Sequence, residues 1–372
     1  MYDYLICGAG FFGSTMARKL TDAGKTCLVI DKLPHVAGAA HDFLWSNGQL
    51  VASYGAHIFH CHSEEIWQFI NQFCEMESFI NKPKVLSDGS VYSFPINMMT
   101  LHQLFGVVTP DEARRKLNEV RIPCEHPRNF EEWVLDKIGR ELYEKFIYGY
   151  TKKQWMCEPS LLPSSIIQRL PIRLTYDENY FTTKYQSMPK EGYTKLIENM
   201  LDGIDVRLGV DFFEMGDWHN YAKHLVYTGP VDKFFSYQFG PLNYNTLRFE
   251  HKEFHGDYQG NAVFNHVDLT TPYLRSVEHK HFARSYQKHY STSDNKEVTV
   301  VSFDHPISFK DHPEPYYPIR DEKNSLLYDK YFALKKAMPD VMFGGRLGGF
   351  QYFDLDQAIS SAIQKSKKLL GE

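Results

Sequence analysis

No stretch of this sequence stays apolar for the roughly 20 residues that a membrane-crossing helix requires. The chain enters a strand pattern at Tyr2, without the basic and then apolar leader of a secreted protein. Its six cysteines (Cys7, Cys27, Cys61, Cys74, Cys124, Cys157) are scattered, with no Cys-x-x-Cys pair. A disulfide scaffold is therefore not expected, and the reading is reduced thiols in a cytoplasmic protein. Basic excess is missing too. A net charge of −5 offers no footprint for nucleic acid and no patch for a membrane surface. Also absent are His-Glu-x-x-His, Gly-x-Ser-x-Gly and any repeat or low-complexity tract. His57 and His60 lie three apart, but in a loop with no third ligand in view, so no metal site is expected.

What is present begins at once. Tyr2 to Cys7 reads as a buried strand, Gly8-Ala9-Gly10-Phe11-Phe12-Gly13 as a turn, and Ser14 to Ala23 as a helix. Lys25 to Ile30 forms a second strand ending in Asp31 and Lys32. That order is the dinucleotide fingerprint in its structural context. Gly8 permits the tight turn, Gly10 admits a pyrophosphate, and Gly13 lets helix and strand approach. Asp31 stands where a ribose hydroxyl would be accepted. A second glycine-rich stretch, Phe343 to Gly349, precedes a helical pattern from Asp354. Glycine turns at both ends of the chain suit FAD better than a nicotinamide dinucleotide.

Between these ends the pattern changes twice. Ser63 caps a helix, and Ser87-Asp88-Gly89-Ser90 joins strands Lys84–Leu86 and Val91–Phe94 as a hairpin. Helices follow from Thr109-Pro110 and from Asn129, with Gly139 as a stop and another helix from Glu141 into Tyr150. Strands recur at Asp205 to Val210 and His224 to Tyr227, and alternation typical of an antiparallel sheet runs from Thr246 to Phe303. Around Tyr148 to Trp155, Arg169 to Arg173 and Asn179 to Phe181, aromatics mix with arginines. Flat rings for a base and guanidinium forks for a diphosphate suit a nucleotide sugar, although a packed aromatic corner with surface ion pairs has the same composition.

Five blocks carry a resemblance: Tyr54-Gly55-Ala56-His57-Ile58-Phe59-His60, Gly149 to Trp155, Pro272 to Lys280, Pro315-Tyr316-Tyr317-Pro318 and Gly345 to Asp354. In this order the chain resembles bacterial UDP-galactopyranose mutases from residue 2 to about residue 370. The resemblance implies an α/β fold: a Rossmann-like FAD-binding domain with an inserted helical domain and a six-stranded antiparallel sheet domain. Expected bounds are residues 1–78, 192–242 and 316–372 for the FAD domain, 100–180 for the helical domain, and 79–99, 181–191 and 243–315 for the sheet domain. It also implies an isomerase that interconverts UDP-galactopyranose and UDP-galactofuranose through a covalent adduct between reduced flavin N5 and the anomeric carbon. A cytoplasmic homodimer supplying a polysaccharide pathway is the matching expectation.

By position, Arg169 and Arg275 resemble the arginines that grip the diphosphate. Asn81, Phe146, Tyr150 and Trp155 resemble the uridine pocket, and Tyr180, Tyr317 and Tyr352 the active-site tyrosines. His57 and His60 resemble the flavin-side histidines. With Gly8, Gly10, Phe12, Gly13, Asp31, Lys32, Gly38 and Ala39, the residues Arg346, Tyr352 and Asp354 would hold FAD. Ala37-Gly38-Ala39 departs from the family's Gly-Gly-Asn, and Ala37 is expected to resist positive φ. Ile147 replaces an aromatic and Met156 a glycine. These changes leave open UDP-N-acetylgalactosamine or a dTDP-hexose such as dTDP-fucose as substrate. Alternatives of another class are an FAD-dependent oxidoreductase and a non-catalytic nucleotide-sugar binder.

Overall fold

The computed structural model describes residues 1–163, 172–284, 298–309 and 314–371. Its organising sheet has five parallel strands in the order Asp205–Leu208, Cys27–Asp31, Tyr2–Cys7, Ala222–Tyr227, Val341–Phe343. The central strands are largely apolar and buried, most completely Cys27–Asp31, because both faces are covered, whereas the edge strand Asp205–Leu208 is mostly exposed. On one face Ile6, Val29 and Val226 pack on helices Phe11–Asp22 and Leu355–Leu370 through Met16, Leu20, Ile359 and Ile363. On the other, Leu5, Leu28 and Leu225 meet Trp218, Tyr331 and Phe350. This is a Rossmann-like arrangement, which places the carboxyl ends of the strands and the turn after Cys7 at one edge. The chain leaves the sheet after Asp31, returns at Asp205, leaves after Tyr227 and returns at Val341.

A second sheet has seven strands, in the order Tyr317–Pro318, Tyr244–His255, Val298–Ile307, Arg275–Glu278, Val263–His266, Lys84–Ser87, Ser90–Ser93. The expected six antiparallel strands are corrected in two respects. Tyr317–Pro318 adds a short edge strand, a position that tolerates a proline without an N–H. Lys84–Ser87 runs parallel to Val263–His266, since the long connection between them imposes no hairpin direction.

Helices Met98–Phe105, Pro110–Val120, Phe130–Leu142 and Gly149–Trp155 gather around a separate core that includes Leu101, Val134, Ile138, Leu142 and Phe146. Asn97 and Thr109 close capping boxes, and Asn129 accepts from Glu132 N. The expected stop at Gly139 is a kink instead. There φ is +74°, a Cβ would strike the Val120 carbonyl, and the helix resumes immediately. A π-helical turn, Tyr143–Tyr148, then rotates Phe146 and Ile147 inward. No helix among the described residues is long and apolar enough to cross a membrane.

Several histidines are folded into this frame uncharged. Burial holds His279, which is fully enclosed beside Ser302 Oγ at 2.6 Å, down at about 3. It holds His266, 2.8 Å from Ser276 Oγ, at about 4. Below their ordinary value near 6.5, the unfolded chain takes up protons that the folded chain refuses. Stability is therefore complete above pH 6.5 and falls as pH drops toward 4, by about 1.4 kcal/mol per pH unit for each such residue. His281, raised by its bonds to Glu278 and Asp257, works in the opposite sense. Urea unfolding is predicted to give a markedly lower free energy at pH 5.5 than at pH 7.5, and His279→Gln to flatten that slope. Equal stability at both pH values would contradict this assignment.

Candidate active site

The site starts at the turn after the first strand. Gly8 has φ +114°, and a Cβ there would run into Thr228 Oγ1, while one on Gly13 would collide with the Gly8 carbonyl. Helix Phe11–Asp22 begins with Gly10 as its cap, so no side chain occupies its first-turn amides. Those N–H groups and the positive helix end are left for an anion. Gly38, with φ +53°, comes against the backbone of Gly10, and a Cβ on it would lie 3.3 Å from Gly10 Cα. Donors without side chains on both sides of a groove fit a pyrophosphate.

Asp31 also secures the turn. Its Oδ2 accepts from Ala9 N at 2.7 Å and its Oδ1 from Leu33 N at 2.9 Å. Lys32 pairs with Glu314 at 2.6 Å on the surface. Phe12 is buried beneath the turn against Gly344, which brings the late glycine stretch to the same edge. Ala37 corrects the expectation: it adopts φ +69°. Its N–H reaches Ala9 O at 2.9 Å and its carbonyl accepts from Ala40 N at 3.0 Å, so the turn Gly38–Ala40 holds it there.

A cavity of about 1050 Å³ opens beside the late glycine stretch at Arg346, between the seven-stranded sheet, the Tyr54–His60 loop and the helices. Its wall on the Tyr54–His60 loop carries His57 and His60. His57 Nδ1 donates to Gly55 O at 3.0 Å. Burial, reinforced by the Arg346 charge, lowers its pKa to about 3, so the ring is neutral with Nε2 as an acceptor. His60 stacks on Phe181 with ring centroids 3.7 Å apart.

The helical wall presents Phe146, Ile147, Tyr150, Trp155 and Asn81. Asn81 is buried, and its Oδ1 has no hydrogen-bond partner among the described residues. An orphaned amide oxygen in a cavity needs a donor from a ligand or solvent. Tyr180, which is 41% exposed, is tied to Asn81 by its N–H, 2.8 Å from the Asn81 carbonyl.

The third wall is the charged one. Arg275 Nε and Nη2 both bond Asp304 Oδ2 at 2.7 Å, across neighbouring strands where these two residues are directly opposed. Asp304 is fully buried, and desolvation pushes its carboxyl pKa up while Arg275 opposes that rise. Around them stand Tyr316, Tyr317 and Tyr352. The Arg346 guanidinium lies 5.0 Å from the centroids of both Tyr317 and Tyr352, and donates to Phe353 O at 2.8 Å. Burial raises Tyr150 to about 12 and raises Tyr352 as well, so both phenols keep their protons at neutral pH. Asp354 lines the cavity and caps helix Leu355–Leu370 in a box with Gln357.

Thus His57, His60, Asn81, Phe146, Tyr150, Trp155, Tyr180, Arg275, Tyr317, Arg346, Tyr352 and Asp354 share one cavity. Gly8, Gly10, Phe12, Gly13, Asp31, Lys32, Gly38 and Ala39 belong to the adjoining turn region. Arg169 lies outside the described residues. Arg173, read with it as a guanidinium fork, spends its donors on the carbonyls of Asn179 and Tyr180. Sequence reading missed Tyr54, Asn265, Tyr316 and Arg320 on the cavity wall, and Asp304 behind it. Tyr316 stood inside a quoted motif, whereas only strand pairing exposes Asp304.

Ala37→Gly is predicted to relieve left-handed strain and raise unfolding free energy by up to about 1 kcal/mol, measured on flavin-free protein. A lower melting temperature would mean that the buried alanine methyl contributes more than the strain costs.

A family model described as UDP-galactopyranose mutase matches residues 145–352, and one described as an NAD(P)-binding Rossmann-like domain matches residues 6–73. The chain is 41% identical to a probable UDP-galactopyranose mutase of Klebsiella pneumoniae, over 99% of this chain and 94% of that protein. It is 35% identical to a dTDP-fucopyranose mutase of Escherichia coli, over 98% and 97%. A crystal structure of reduced UDP-galactopyranose mutase superimposes with TM-score 0.76 at 14% identity, covering 100% of this chain and 96% of that one, a likeness of fold. Full-length identity of this order, joined to a family model over more than half the chain, establishes that the chain belongs to the UDP-galactopyranose mutase family.

Proposed function

We propose that this protein is an isomerase that interconverts UDP-galactopyranose and UDP-galactofuranose, with FAD held at the Gly8–Gly13 turn and active in its reduced form. One observation carries the reading. A single cavity has aromatic rings able to stack a base on one wall, the Asp304-paired Arg275 on the next, and Arg346 on its far side, where the adjoining Gly345 comes against Phe12 of the dinucleotide turn. Bound there, the reduced flavin would supply the nucleophile, its N5, toward the anomeric carbon, which accounts for a site without a protein nucleophile.

The chain's own residues do the rest. Tyr150, Trp155 and Phe146 stack and enclose the base, and Asn81 Oδ1 accepts a donor from it. Arg275, locked on one edge by Asp304, turns its remaining donors to the diphosphate, with Arg169 as its counterpart. Together they keep detached UDP near the sugar, so that its return is effectively intramolecular. Tyr352, kept protonated by burial, donates to phosphate or sugar oxygens instead of withdrawing protons, with the Tyr180 and Tyr317 hydroxyls beside it. Arg346 and neutral His57 line the cofactor side, where His57 Nε2 can accept a hydrogen bond. Similarity to a dTDP-fucopyranose mutase keeps a deoxythymidine-linked sugar as the second reading.

The test is product analysis. Flavin-loaded protein, reduced under nitrogen, is incubated with UDP-galactose, UDP-N-acetylgalactosamine or dTDP-fucose in pyranose form, and products are resolved by anion exchange. A new furanose peak with UDP-galactose, absent with oxidised protein, is expected; a peak only with dTDP-fucose would establish the second reading. No peak with any sugar would favour a binder, and stoichiometric consumption with an acceptor would favour an oxidoreductase. Arg275→Ala is predicted to keep its flavin while losing about a hundredfold or more in kcat/KM, read from initial rates.

A further inference from the structure

The helix Gly149–Trp155 is short, yet it carries Tyr150 and Trp155 on the cavity wall. A helix of two turns has little power to hold its own position. What holds it is a face made by Gly149 and Lys153, four residues apart and therefore on one side. Gly149 is pressed so closely on the hairpin connection after His266 that a Cβ would collide with the Val267 carbonyl oxygen and lie 3.1 Å from its carbon. One turn later Lys153 Nζ reaches four carbonyls of the same connection: His266 at 2.8 Å, Asp268 at 3.1 Å, Thr271 at 3.1 Å and Tyr273 at 2.9 Å.

Three N–H donors thus serve four acceptors, an arrangement resembling a bound cation in a carbonyl cage. Those carbonyls belong to the loop between strands Val263–His266 and Arg275–Glu278, whose register sets Asn265 opposite Arg275. Both residues line the cavity. Burial lowers the Lys153 pKa to about 8, and the four carbonyls replace the water that its ammonium gives up. Its neighbour Lys152 instead pairs with Glu158 at 2.6 Å, on the outside.

We propose that Lys153, with Gly149, is a positioning residue: it pins the base-stacking helix to the hairpin that presents Arg275, and so sets the span between base and diphosphate subsites. This rests on the nucleotide-sugar reading above. A nucleoside diphosphate is semi-rigid, so a displacement of the helix by about 1 Å is expected to weaken its binding tenfold to a hundredfold. The flavin turn lies on the other sheet and is unaffected.

The experiment titrates flavin-loaded wild type, Lys153→Met, Gly149→Ala and Lys152→Met with UDP by calorimetry, alongside flavin absorbance, melting temperature, and KM and kcat. Lys153→Met and Gly149→Ala are expected to keep their flavin and raise the Kd of UDP at least about tenfold, with KM rising in step. Lys152→Met is expected to match wild type. In Lys153→Ala, added n-propylammonium is expected to restore UDP affinity, whereas tetramethylammonium, with no N–H, is not. A merely structural lysine would lower the melting temperature and leave the Kd of the folded, flavin-loaded fraction unchanged; that result would overturn the proposal. If Lys153→Met fails to fold, Gly149→Ala decides by the same readout. Wild type that binds no UDP would instead defeat the functional reading itself.

Discussion

The site depends on one buried ion pair. Arg275 and Asp304 face each other across antiparallel strands, and two guanidinium nitrogens bond the same carboxylate oxygen at 2.7 Å. Taking the Asp304 charge out of water is costly, and such a pair, with Arg275 still part-exposed on the cavity wall, seldom adds net stability. Its value lies in geometry. Asp304 fixes one edge of the guanidinium, and the sheet register fixes Asp304, so the remaining edge needs no reorganisation to meet an anion. Gly55 completes the constraint: a Cβ there would lie 3.5 Å from Arg275 Nη2 and 3.0 Å from Phe249.

The rest of the cavity is arranged around that fixed charge. On the proposed reading, the helix after the first strand of the Rossmann-like sheet offers an uncapped end to a cofactor pyrophosphate, and the helical core offers rings to a base. The second sheet holds arginine and tyrosines between them. Charge is distributed accordingly. Arg275 is held charged beside Asp304, His57 is held neutral, and the Tyr150 and Tyr352 phenols stay protonated. On the proposed reading, the cavity is therefore suited to hold a leaving diphosphate beside phenols that keep their protons.

Much of this was legible in the sequence, for identifiable reasons. Gly8 and Gly13 announced the turn because steric exclusion by Thr228 and by Gly8 itself leaves no room for a side chain. Thr109 and Asn129 announced helix starts because caps are local chemistry. What stayed hidden was non-local. Asp304 is separated from Arg275 by a strand connection, and only pairing brings them together. The parallel contact of Lys84–Ser87 with Val263–His266 has no local signature, and neither has the carbonyl cage around Lys153. Gly139 and Ala37 were misread for a shared reason: neighbouring backbone, at Val120 and Ala9, overrode the intrinsic preference of the residue.

The central claim is that UDP detaches from the sugar and is held in place until it returns. It is tested most directly by UDP-galactose labelled with heavy oxygen at the bond between the anomeric carbon and the phosphate. Phosphorus NMR then follows the label after incubation with reduced protein. Scrambling of the label into the non-bridging phosphate positions, dependent on reduced flavin, is the expected result. Furanose formation with the label retained wholly in the bridging position would contradict it.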